Sequence, residues 1–243
     1  MSTARNIALA IVAVTALSIA GVMAWRVLRH RVAHIDVSRA VYPVKGIDIS
    51  SHNGGDIDFF AVAADTVEFV YIKASEGENF RDSLFYHNYA GVCRANMKVG
   101  AYHFFRFDRE GWRQGRNLLE TVRNLRLDLP LAIDVEEWRN ASMFDADDVV
   151  RQLRDMIDYL HEYRRDVIIY TNRDGYNRFI RFRFDDIPVW ISAFSKRPLD
   201  ASWHLWQHSH RGRVNGIRGF TDLNTFNGSR EEWNRWLEGY YQP

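Results

Sequence analysis

The 243-residue chain has one cysteine, Cys93, five prolines and only four lysines. A single thiol excludes an intrachain disulfide and a cysteine-based zinc site. Cys93 lies in a helical pattern with Val92 and Met97 and reads as a buried spectator. No GxGxxG or GxxxxGK[ST] turn is present, so the chain lacks the loops that cradle nucleotide phosphates. Internal repeats and low-complexity stretches are missing as well. So is any surplus of positive charge: 32 basic side chains face 31 acidic ones. Five of the basic residues (Arg5, Arg26, Arg29, Arg31, Arg39) fall in the first forty positions, leaving residues 41–243 with 27 basic and 30 acidic groups. That balance excludes a binder of nucleic-acid backbones. What is abundant is apolar and aromatic: 47% hydrophobic residues and eight tryptophans suffice for a sizeable core.

From Ile7 to Trp25 nineteen residues pass without a charge, close to the ~20 that cross a bilayer as a helix. The segment reads as a membrane anchor or as a signal cleaved after Ala24, where Val22-Met23-Ala24 offers small residues. Residues 26–43 form a basic linker. Arg26, Arg29 and Arg31 follow the apolar run, against the usual bias for exporting what comes next.

After residue 44, β-branched runs alternate with helical patterns. Strands are expected at Val44–Ser50, Val67–Ala74, Val99–Phe105, Leu129–Glu136, Val167–Asn172, Pro188–Ser192, His204–His208 and Ile217–Asp222. Helices are expected at about 56–65, 82–96, 109–126 and 144–164, with a short one near 174–180. A last helix begins at Ser229, which forms a capping box with Glu232. Five strand–helix units followed by three strands predict an α/β fold, a closed barrel with an irregular final third spanning 44–243.

Side chains alternate along a strand, so each strand can be read face by face. Leu131, Ile133 and Val135 share one face and suit an outer helix layer. Ala132, Asp134 and Glu136 share the other and point into the barrel. Asp48 is placed likewise on the first strand, and Asp222 stands at a strand end. Barrel enzymes work at the carboxyl ends of their strands, which makes Asp48, Asp134, Glu136 and Asp222 the candidate catalytic set. Crowded carboxylates raise one another's pKa, and a protonated acid beside an ionised one is what glycosidic cleavage requires. Tyr71, Tyr102, Phe104, Tyr170, Trp190, Trp203 and Trp206 are expected to thicken the same end. His204, His208 and His210 are candidate metal ligands, with His208 and His210 on one face, but no carboxylate of suitable spacing completes the set; no metal or cofactor is expected.

The chain resembles the lysozymes of glycoside hydrolase family 25, the Chalaropsis-type muramidases, over residues 44–228. The resemblance rests on Gly46-Ile47-Asp48-Ile49-Ser50, Phe69-Val70-Tyr71-Ile72-Lys73-Ala74-Ser75-Glu76-Gly77, Gly100-Ala101-Tyr102-His103-Phe104, Ile133-Asp134-Val135-Glu136, Ile169-Tyr170-Thr171, Trp206-Gln207 and Asp222-Leu223-Asn224. It implies a (β/α)5(β)3 barrel that cleaves the β-1,4 bond between N-acetylmuramic acid and N-acetylglucosamine in peptidoglycan. By the same resemblance Glu136 is the general acid, and Asp134 steadies the substrate's N-acetyl group or otherwise assists the attack. Asp48 and Asp222 complete the acidic site, and Lys73, Glu76, Tyr102, Tyr170, Trp190 and Gln207 bind substrate.

Two positions depart from the family pattern: Phe194 stands where Tyr is usual, and His208 follows Trp206-Gln207 where Tyr is common. A silent wall-binding tether and a metal-dependent polysaccharide deacetylase are the rival readings. A cytoplasmic muramidase would have nothing to cut. The barrel is therefore expected outside the cytoplasm as a monomer acting on glycan strands, held to the membrane by Ile7–Trp25 or released after cleavage.

Overall fold

The computed structural model describes residues 37–140, 143–198 and 202–240. The apolar segment 7–25 and the first part of the linker lie outside the described residues. Among those described, no helix is long and apolar enough to cross a membrane.

Nine strands form one sheet: β1 (Lys45–Ile49), β2 (Phe69–Glu76), β3 (Phe80–Arg81), β4 (Lys98–Phe104), β5 (Leu131–Asp134), β6 (Val167–Asn172), β7 (Val189–Ser192), β8 (Leu205–Gly212) and β9 (Thr221–Phe226). Eight of them close a barrel in the order β1-β2-β4-β5-β6-β7-β8-β9, with β9 returning to β1. The two-residue β3 is an antiparallel appendage of β2. Helices α1 (Phe59–Ala64), α2 (Phe85–Arg94), α3 (Gly111–Val122), α4 (Ala146–Glu162) and α5 (Arg173–Gly175, continued by a π turn over Tyr176–Ile180) follow the first five barrel strands. Helix α6 (Arg230–Glu238) ends the described fold. The expected α/β barrel of five strand–helix units and three further strands is what the chain forms.

Local sequence accounts for most of this. Asp58 and Asp145 cap α1 and α4 through backbone N–H groups two and three residues on. Val149, Leu153, Met156, Ile157 and Leu160 give α4 its buried stripe. The Ser229–Glu232 capping box opens α6 as expected, Ser229 N donating to Glu232 Oε2 at 2.7 Å. Residues 37–43, the end of the linker, lie on the barrel, with Tyr42 buried 5.8 Å from the Trp206 ring.

The last third differs from expectation. The strand expected at Ile217–Asp222 is β9, Thr221–Phe226, and β8 runs to Gly212. Gly216 and Gly219 take φ of 91° and 88°, conformations that keep 213–220 a loop. With no helix between them, β8 and β9 pair antiparallel, as a short connection requires.

The lower barrel is filled by Phe69, Tyr71, Ala132, Ile168, Trp190, Leu205 and Phe226, with Trp233 of α6 beneath them. Tyr71 stacks on Trp190 at 4.8 Å. Gly100 makes room for it, since a Cβ there would lie 2.5 Å from the Tyr71 ring. Cys93, expected to be buried, is exposed on α2, because the buried face of that helix passes through Phe85, Asn88, Gly91 and Val92 instead.

Candidate active site

At the carboxyl ends of the parallel strands opens a cleft of about 570 Å³, within the range of small-molecule sites. Asp48, Tyr102, Asp134, Glu136, Tyr170, Trp190, Gln207 and Asp222 all line it. The four expected carboxylates therefore meet.

Asp48 is held by a directed chain of amides. Its Oδ1 accepts from Gln207 Nε2 at 2.9 Å and from Asn224 Nδ2 at 2.7 Å. The amide oxygens face outward, Gln207 Oε1 accepting from Tyr170 OH at 2.9 Å and Asn224 Oδ1 from Trp190 Nε1 at 2.9 Å. Both amides of this network are paired at their nitrogen and at their oxygen, the condition under which such a network rigidifies a site. Asp222 lies directly across from Asp48 in the β1–β9 register. It is the second residue of its strand rather than the last. Because β9 runs antiparallel, its beginning is what reaches the cleft.

Asp134 ends β5, and Glu136 stands two residues beyond the strand, where pairing persists. Val135 N donates to Tyr170 O at 2.8 Å and Thr171 Oγ1 to Val135 O at 2.7 Å. Asn140 Nδ2 donates to the Glu136 carbonyl at 2.9 Å, fixing the turn that carries the carboxyl. Asp134 Oδ1 is buried and has no hydrogen-bond partner. That is a costly arrangement, and it presents an acceptor to whatever enters.

Burial drives all four pKa values upward. Glu136 is pushed to about 7 by burial and then by the Asp48 charge. Asp222 reaches about 6, with burial again the main cause. Asp134 is raised well above the carboxylate range by burial and Glu136, against the opposing pull of Lys73. Asp48 is raised by burial and Asp222, against its two amide donors. The group as a whole holds protons near neutrality. Tyr102 and Tyr170 are raised as well, by burial and the surrounding carboxylates, and remain hydrogen-bond donors.

Lys73 and Glu76, expected to touch substrate, do not line the cleft. They pair with each other at 2.7 Å, with Lys73 against the Phe104 and Phe80 rings. The strand slips its register between Lys73 and Ser75, which brings Glu76 to the same side as Lys73. Tyr71, Trp203 and Trp206, expected at the cleft end, pack elsewhere: Tyr71 OH reaches Pro130 O, and the two tryptophans lie against Tyr42. The cleft instead gains Trp138, Asn172, Ser192, Phe194 and His210. Asn172, Ser192 and Asn224 follow from period two on β6, β7 and β9. Trp138 lies in a loop and carries no such signal.

His208 and His210 do not share a face. His208 packs against Trp206, where burial lowers its pKa to about 4, whereas His210 enters the cleft. Among the described residues no cluster of three or more His, Cys, Asp or Glu side chains has metal-holding geometry.

The sequence pattern of glycosyl hydrolases family 25 matches residues 47–217. An autolytic lysozyme of Clostridium acetobutylicum is 38% identical over 185 residues, which is 75% of this chain and 56% of that protein. The chain thus spans little more than half of that relative's length. The structure of a family 25 glycosyl hydrolase from Bacillus anthracis superposes with a TM-score of 0.75 at 32% identity, covering 84% of this chain and 95% of that one. A bacterial lysozyme from Streptomyces coelicolor gives 0.72 at 29% identity, with 82% and 98% covered. Both the sequence match and the shared barrel bear out the resemblance first read from the strand motifs: the chain belongs to glycosyl hydrolase family 25.

Proposed function

We propose that the chain is a lysozyme that hydrolyses the β-1,4 bond between N-acetylmuramic acid and N-acetylglucosamine in peptidoglycan. The observation that carries this reading is the Asp134–Glu136 pair at the cleft. One carboxyl is protonated near neutrality, and the other ends in a buried oxygen with no partner. Glu136 donates its proton to the departing glycosidic oxygen as the C–O bond breaks. Asp134, ionised once that proton is committed to Glu136, accepts from the N–H of the substrate's N-acetyl group and steadies it against the anomeric carbon, a form of substrate-assisted cleavage. Water completes the hydrolysis, and Glu136 recovers its proton. Asp48, locked by Gln207 and Asn224, and Asp222 hold the charge of the floor. Tyr102, Tyr170 and Trp190 give the sugar a wall to lie against.

The barrel acts as a monomer on glycan strands outside the cytoplasm, delivered there by the apolar segment Ile7–Trp25 as anchor or as signal. The test is release of new reducing ends from purified peptidoglycan. Acetate released without reducing ends supports the deacetylase reading, and binding with neither product supports the tether. For placement, a carboxyl-terminal alkaline phosphatase fusion is expected to be active. An inactive fusion overturns export, and mass spectrometry of the mature amino terminus separates anchor from signal.

A further inference from the structure

A strict alternation along β8 would turn Gln207 and Ser209 inward and both histidines outward. The strand breaks that rule. Its register against β9 shifts between Gln207 and Ser209 and again between Ser209 and Gly212. Arg211 N donates to Ser209 Oγ at 3.1 Å, closing a local turn around residue 210. Such bulges re-aim side chains near active sites. Here the result is that His210 lines the cleft beside Gln207, three residues away, while His208 stays against Trp206. Its ring meets Phe194 edge-on, centroids 4.4 Å apart and planes at 65°.

The chemistry of this corner differs from the rest of the cleft. Four carboxylates line the site, and His210 is the one Lys, Arg or His side chain among its described lining. The neighbouring Arg211 and Arg213 stack on Phe220 instead, at 5.1 and 4.7 Å. Sharing the cleft with the acids, then, are an imidazole and a half-exposed phenyl face. The two sugars of a glycan strand differ in one substituent: the muramyl unit carries an ether-linked lactyl group, with a methyl and a carboxyl or its amide. A wall of carboxylates repels the acidic end of that substituent. A methyl fits a phenyl face, and a carbonyl oxygen accepts from an imidazole.

Resting on the lysozyme reading, we infer that His210, backed by Phe194, is a specificity-determining contact for the lactyl substituent of the muramyl sugar. His210 donates to the lactyl carboxyl or amide oxygen, and Phe194 covers the methyl. A site built around such a hydrogen bond discriminates against the sugar lacking the group.

Calorimetric binding in a Glu136→Gln background, where turnover is suppressed, tests this with two probes: a muramyl-containing glycan fragment and chitotetraose, which has no lactyl group. His210→Ala is expected to weaken binding of the glycan fragment about tenfold and leave chitotetraose unchanged. His210→Gln, which keeps an N–H donor, is expected to recover part of the loss. Equal weakening of both probes assigns His210 a shaping role only and overturns the inference, as does no change in either. A wild type that releases no reducing ends overturns the lysozyme reading instead, and that result is read independently of the binding pair.

Discussion

The two ends of the barrel are built on opposite principles. At the amino end, α6 closes the opening with rings: Trp233 lies 5.2 Å from Phe69, 5.2 Å from Phe226 and 5.4 Å from Trp236. Its amino terminus is capped by Ser229, and Arg230 reaches Glu68 at 2.9 Å. A cleft of about 350 Å³ beside it is lined by Arg123, Arg126, Arg165 and Asp166, charges of mixed sign. At the carboxyl end, four carboxyl groups crowd together with raised pKa values, and one buried oxygen has no partner. The amino end is packed ring against ring, with Trp236 Nε1 and His204 Nδ1 its buried atoms without a partner, whereas the carboxyl end gathers ionisable groups. Folding free energy is gained where nothing reacts, and part of it is given up where chemistry occurs.

Substitutions at the two ends are expected to separate activity from stability. Glu136→Gln is expected to cut the release of reducing ends by about 10²–10⁴-fold, the usual cost of losing a general acid, without lowering Tm. Activity within a few-fold of wild type would remove Glu136 from that role. Trp233→Ala should do the reverse, costing about 3–5 kcal/mol in denaturant unfolding while the folded fraction keeps its specific activity. A loss of specific activity in folded Trp233→Ala protein would break the separation.

The pH response sharpens it further. Glu136 acts in its protonated form, so the rate is expected to fall about tenfold per pH unit above roughly pH 7. Stability moves in the same direction. Glu136 and Asp222 have folded pKa values of about 7 and 6, above the ordinary 4.5 and 3.8, so between those limits the folded state binds more protons than the unfolded one. Stability is then greatest at the acid side and is lost as pH rises through those folded values. A Tm that climbs from pH 5 to pH 8 would contradict the carboxylate crowding.

The smallest effect is the most diagnostic. Asp48→Asn keeps an oxygen to accept from Gln207 and Asn224 and gains an NH₂ that faces Asp222, so Tm should rise by a few degrees while activity declines. A lower Tm would mean that the Asp48 carboxylate stabilises the fold.

Much of this site could be read from period two. The inward placement of Asp48 and Asp134, the neighbouring Ala132 and the apolar outer face of β5 follow from alternation within one strand, which is a local property. The same holds for the caps at Asp58, Asp145 and Ser229, where a side chain meets backbone two or three residues away. Lys73 and Glu76, three residues apart, pair with each other on one side because a slip against β4 follows Lys73, and nothing within Phe69–Glu76 announces it.

The amino-acid order thus carried the α/β alternation, the closing helix and the acidic residues of the cleft, since each arises from contacts between near neighbours in the chain. The fold in three dimensions settled the rest. It made β9 antiparallel, so that Asp222 reaches the cleft from a strand's beginning; it turned Gln207 and Asn224 so that both amides donate to Asp48; it bulged β8 so that His210 lines the cleft. Those outcomes depend on strand direction, register and barrel closure. They bring together residues as much as 176 positions apart, and no local pattern encodes the pairing of such distant partners.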